Sequence, residues 1–228
     1  MKECDLSSGI KLYSEQKIQD ALTFFLSTPE PETPEDAAER AYYLGLCYTK
    51  MGLYEQALEF LEQVITASSD DGQVFQCRLL LSLAYAKTGR ISLAEDELRI
   101  LEQKSDTHSE KTELYNALGF VAFERGDAAT AIEYYEKVLS ISPENTTALN
   151  GLGYVLAETG EMLSRALVLC RQASDAKPDY GPYLDSLAWV YYKMHFTQEA
   201  QRVIKKALEL MPDSEIVQKH YDAIMHDE

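Results

Sequence analysis

Five segments of this chain repeat one pattern at nearly one interval, and that interval limits the fold to a stack of similar units. LGLCYTKMGLYEQALEFL begins at Leu44, LSLAYAKTGRISLAEDEL at Leu81 and LGFVAFERGDAATAIEYY at Leu118, in steps of 37 residues. LGYVLAETGEMLSRALVLC follows at Leu152 after 34, and LAWVYYKMHFTQEAQRVI at Leu187 after 35. Each segment reads as an apolar stretch of helical spacing, a turn residue, and a second apolar stretch about one short helix long.

Packing explains the pattern. Gly45, Ser82, Gly119, Gly153 and Ala188 stand where a first helix has to approach its partner closely, and Ala57, Ala94, Ala131, Ala166 and Ala200 answer from the second helix. Small residues there let two short helices nest, while larger ones fill the seam to the next pair. Gly52, Gly89, Gly126 and Gly160 take a positive φ at a helix end without penalty, and Pro143, Pro178 and Pro212 stop or start helices. Two departures are visible: His195 occupies the turn position of the last unit, and Ala166 arrives one residue late. The first predicts a strained or altered turn, the second a local change of loop or helix start.

This succession of a Leu-Gly-like pair, aromatic, turn Gly, Ala, aromatic or aliphatic residue and closing Pro resembles the tetratricopeptide repeat, of the multi-repeat kind found in bacteria. The opening DSLAW of the run DSLAWVYYK adds to the bacterial likeness. The resemblance implies an all-α fold, a right-handed superhelical solenoid of antiparallel helix pairs whose first helices line a concave groove. Residues 1–37 are expected to hold a degenerate first pair, carried by Gly9, Tyr13, Ala21 and Phe25, and a polar linker at 27–36. Residues 38–213 hold five units. Residues 214–228 are expected to form an amphipathic capping helix that starts at Ser214.

By the same resemblance, the partner-binding groove is lined by Tyr42, Leu46 and Lys50, then Leu79, Leu83 and Lys87, then Asn116, Phe120 and Phe123. Asn150 and Tyr154 continue the stripe, which ends with Asp185, Trp189 and Tyr192. Leu46, Leu83, Phe120, Tyr154 and Trp189 share one equivalent place, a row suited to a peptide or helix with apolar anchors. The competing expectation is that a tight winding or an inward-folded terminal helix covers that row within the chain. The carboxylate clamp of relatives that bind Glu-Glu-Val-Asp tails is not expected, because apolar residues hold the place of its first asparagine.

The remaining chemistry is sparse. The formal charge of −17, from 21 Lys and Arg against 38 Asp and Glu, opposes binding to phosphate backbones or anionic lipid. No apolar run is long enough to cross a bilayer, and MKECDLSSGI has no apolar signal region. Cys4, Cys47, Cys77 and Cys170 form no CxxC pair, and three of them lie in apolar helical patterns. His108, His195, His220 and His226 lack metal-ligand spacing and are read as structural residues. No catalytic motif, cofactor fingerprint or metal cluster is seen, so no enzyme activity, cofactor or metal is expected. The function expected is a scaffold or adaptor that holds a protein or peptide client, with self-assembly as the alternative. The expected compartment is the cytoplasm, or the periplasm if an export signal preceded this sequence.

Overall fold

The computed structural model describes residues 6–226, and every regular element in them is an α-helix. In chain order these are α1 (Ser7–Ser14), α2 (Ile18–Ser27), α3 (Pro34–Lys50), α4 (Tyr54–Ala67), α5 (Asp71–Lys87), α6 (Ile91–Glu102) and α7 (His108–Glu124). They continue as α8 (Ala128–Ile141), α9 (Thr146–Thr159), α10 (Leu163–Ala176), α11 (Gly181–Lys193), α12 (Thr197–Leu210) and α13 (Glu215–His226). The chain divides into two compact units, Met1–Ala117 and Leu118–Glu228, with the boundary inside α7.

Within the first unit α1 packs on α2, α3 on α4 and α5 on α6, and the second helix of each pair packs on the first helix of the next, α2 on α3 and α4 on α5. One core joins Ala21, Leu22 and Phe25 to Leu44 and Cys47; a second joins Ala41, Ala57, Leu61 and Val64 to Cys77, Leu81 and Ala84. Within the second unit α9 packs on α10, α11 on α12, and α13 lies against both α11 and α12. Ala166, Cys170, Ala173, Ala188, Ala200, Ile204 and Val217 are fully buried there. This is paired-helix repeat packing of an all-α solenoid.

The turns inside the pairs show why the repeat tolerates sequence change. After α3, the Gly52 amide donates to the Thr49 carbonyl at 3.1 Å and the Leu53 amide to the Tyr48 carbonyl at 2.9 Å. This double closure of a helix end needs a left-handed residue between its two bonds. Gly89 and Gly126 sit in the same closure, at φ 77° and 88°. Gln16 and His195 sit in it too, at φ 61° and 60°, without being glycine. All five stand seven residues after the small residue of their first helix. His195 therefore makes the ordinary turn under strain, and next to it the Phe196 ring lies 6.3 Å from the ring of Tyr191.

The turn between α9 and α10 is different. Gly160 still takes φ 72°, but the one-residue excess is absorbed by Met162 at φ 50°, which precedes the first turn of α10. The following helix starts three residues after the glycine, instead of two, and Ala166 recovers full burial. The insertion alters one loop and leaves the helix packing in place.

Caps fix the starts of several helices. Thr33, Asp70, Asp127 and Asn145 each accept a backbone N–H of the following first turn. Thr107 and Glu110 exchange bonds at the start of α7: Thr107 Oγ1 accepts from the Glu110 amide at 3.1 Å, and Glu110 Oε2 accepts from the Thr107 amide at 3.0 Å. His108 in this segment is thus the first residue of a helix.

Candidate protein-binding face

In the first unit the expected stripe lies on α3, α5 and the first part of α7. Leu46, Leu79 and Leu83 are half-buried, and so is Asn116, while Lys50 and Lys87 are exposed. Tyr42 packs on the core formed by Ala41, Ala57 and Cys77, and meets Tyr43 edge-on at 5.4 Å. Lys50 leans back over the Tyr13 ring at 4.9 Å and donates to Gln16 Oε1 at 2.9 Å. On the same helices Gln76 Nε2 donates to Glu113 Oε2 at 2.6 Å, tying α5 to α7.

In the second unit the stripe gathers into one aromatic cluster. Phe123 meets Tyr154 edge-on at 5.6 Å, and Trp189 stacks on Tyr192 at 5.1 Å. Between these pairs stands His220 of α13. Its ring lies 4.2 Å from Trp189 at an interplanar angle of 17°, and 6.1 Å from Tyr154. Its Nδ1 is 2.9 and 3.0 Å from the two carboxylate oxygens of Asp185. Trp189 Nε1 donates to Glu158 Oε1, and the Lys193 ammonium lies 5.0 Å above the indole. Phe120 and Asn150 of the same unit are half-buried, and Asn150 Oδ1 is enclosed with no donor within hydrogen-bonding distance.

Burial pushes the Tyr154 phenol well above its ordinary range, and the carboxylates of Glu158 and Asp185 add to the effect. That phenol also hydrogen-bonds Glu158. It is a fixed donor, unsuited to proton transfer near neutral pH. The sulfur atoms are similarly inert: burial pushes Cys47 up to about 11 and Cys77 and Cys170 to about 12. Among the described residues no group of three or more His, Cys, Asp or Glu is placed to hold a metal ion. No helix among them is long and apolar enough to cross a membrane.

The predicted residues divide between the two units. Tyr42, Leu46, Lys50, Leu79, Leu83, Lys87 and Asn116 belong to one unit; Phe120, Phe123, Asn150, Tyr154, Asp185, Trp189 and Tyr192 belong to the other. Asp185 is buried by its bond to His220. The role of His220 is not visible in the local sequence, since its partner lies 35 residues upstream. An amphipathic register of α13 that puts His220 beside Val217 and Ile224 is the signal that places it inward.

Residues 38–71 and 122–187 match two tetratricopeptide repeat family models. Those two segments carry tetratricopeptide repeats. A TPR repeat-containing protein of Pseudomonas aeruginosa is 26% identical over 167 residues, an alignment covering 73% of this chain and 28% of that protein. An uncharacterized protein of the alga Pyropia yezoensis is 41% identical over 49 residues, which is 22% of this chain and 28% of the relative. The chain therefore spans little more than a quarter of the length of either relative. Among solved structures, a tetratricopeptide repeat protein of Parabacteroides merdae superposes with a TM-score of 0.75 at 15% identity, covering 97% of this chain and 83% of that one. A chain of the APC/C hetero-tetramer Cut9–Hcn1 gives 0.68 at 18% identity, covering 97% of this chain and 42% of that one. These likenesses establish the shared repeat fold, one known for protein–protein interaction scaffolds that are typically non-catalytic.

Proposed function

We propose that this repeat protein is an interaction scaffold that holds a peptide or helix of a client protein against its first helices. The observation that carries the reading is the row Leu46, Leu83, Phe120, Tyr154 and Trp189. One equivalent position is apolar or aromatic in every repeat, yet all five side chains stay half-buried while the positions around them are core. Leucines and aromatic rings held at a surface by rigid helices suit apolar anchors of a bound segment. Lys50 and Lys87 flank the row in the first unit, and Glu124 and Glu158 flank it in the second, as charges for a bound segment to meet.

Assembly with further subunits is the second reading. It is supported by exposed apolar residues on the second helices, Leu93 at 46% and Val168 at 55% exposure. The buried free thiols Cys47, Cys77 and Cys170 fit a reducing compartment such as the cytoplasm. The bacterial likeness of the repeats fits the Pseudomonas and Parabacteroides proteins and leaves the algal one outside it.

Affinity capture from native extract tests the first reading, run with the parent and with a Leu83→Ala/Phe120→Ala variant of unchanged helicity. A client retained by the parent and lost by the variant is the expected result. Equal capture by both defeats the first-helix reading, and concentration-dependent mass in the protein alone favours assembly.

A further inference from the structure

The corner between α9, α11 and α13 holds chemistry that packing does not require. Asp185 and His220 are charged or polar groups with side chains only 8% and 9% exposed, in a helix contact otherwise made by Val217 and Ile224. The imidazole lies flat on the Trp189 indole and points one ring nitrogen at both oxygens of a buried carboxylate. Three carboxylates, Glu124, Glu158 and Asp185, raise the Tyr154 phenol from around this corner, and Lys193 is the fixed cation beside them. A flat π surface, a carboxylate at its edge and an excess of negative charge together recognise a planar cation.

The imidazole satisfies that site incompletely. A single Nδ1 is shared by two acceptor oxygens at 2.9 and 3.0 Å. A guanidinium presents two parallel N–H donors, one for each oxygen, stacks on an indole in the same plane, and keeps its charge at all accessible pH. Val217 and Ile224, at 0% and 1% exposure, hold α13 in its seat independently of His220.

We propose that Asp185 and Trp189 form a receptor for an arginine side chain of a protein partner, and that His220 fills it in the free chain as an internal competitor. This rests on the reading of the first-helix face as a client surface, and gives the client's chemistry: a basic anchor, complementary to a chain of net charge −17. His220 then sets a threshold, because only an arginine presented at high local concentration displaces a tethered rival.

Trp189 is the single tryptophan of the chain, so its emission reports this corner alone. The probe is the peptide acetyl-Gly-Arg-Gly amide, titrated beside its citrulline analogue, which has the same shape without the charge. The parent is expected to bind the arginine peptide and to ignore the citrulline one. His220→Ala is expected to bind it more tightly, by about tenfold if the tethered imidazole holds the site most of the time in the free chain. Asp185→Asn is expected to abolish the response in both backgrounds. If His220→Ala loses helicity, His220→Gln is measured in its place. Binding equal to that of citrulline, or no gain on removing His220 in a folded variant, overturns the proposal. The client-face reading is judged separately by capture with the Leu83→Ala/Phe120→Ala variant, which leaves Asp185, Trp189 and His220 unchanged.

Discussion

An added Cβ at Gly153 meets the Cys170 sulfur at 2.5 Å, the Ala166 carbonyl oxygen at 3.1 Å and the Cys170 amide at 3.2 Å. Two of those atoms are backbone of the partner helix and cannot rotate away, so α9 and α10 must separate. Gly153→Ala is expected to lower stability by about 1–3 kcal/mol in denaturant unfolding; an unchanged midpoint would show the pair to be loosely packed. His195 gives the opposite sign. At φ 60° it occupies a backbone region that costs a side-chain-bearing residue about 1 kcal/mol, and glycine relieves this at some expense in unfolded-chain entropy. His195→Gly is expected to raise stability by about 0.5–1 kcal/mol, and a decrease would mean the imidazole makes a contact that matters. Both positions are legible in sequence, because a repeat compares each residue with its own equivalents. His220 is not: its meaning depends on a contact with Asp185 that no repeat position encodes, and near a terminus it reads as one more surface histidine.

Each helix of the stack is defined by its ends as well as its apolar face. Asn145 Oδ1 accepts the Ala148 amide at 2.9 Å and starts α9, the helix that carries Asn150, Tyr154 and Glu158 to the site. Asn145→Ala is expected to cost about 1 kcal/mol, measured by thermal unfolding. Asp127 plays the same part for α8. Its bonds to Thr130, with help from Arg125, hold the carboxyl below the usual aspartate range. A lowered folded-state value means that its contribution is present above the unfolded value and disappears as pH falls through the folded one. The helices were legible from their apolar spacing, and their closing turns from glycine. The start of α7 was less so, although THSE is a capping box, since a polar run looks like loop until its Thr and Glu are seen three residues apart. The extra residue before Ala166 announced a local change, but only the backbone reveals that Met162 absorbs it.

At the scale of the whole molecule, the groups that burial keeps protonated are phenols and thiols spread along both units. Tyr13 and Tyr85 are pushed from 10.0 up to about 12, chiefly by burial, with Cys47 next for Tyr13 and the Glu62 carboxylate for Tyr85. Cys47 rises from 9.0 to about 11, and Cys77 and Cys170 from 9.0 to about 12, again by burial. In every case the folded value lies above the unfolded one, so the folded chain holds more protons than the unfolded chain through this window. Stability then falls as pH rises, since unfolding releases protons that the solvent takes up. The contribution is complete below pH 9, where unfolded thiols begin to ionise, and is lost progressively toward pH 12. The existing net charge of −17 acts in the same direction, because each thiolate or phenolate formed adds to a chain already repelling itself. Thermal midpoints measured at pH 7, 9, 10 and 11 are expected to hold nearly level to pH 9 and then drop steeply. Added salt should soften the repulsive part and leave the part due to burial. A midpoint flat to pH 11 would mean that these side chains ionise in the folded state, and hence that the seams between helix pairs admit water.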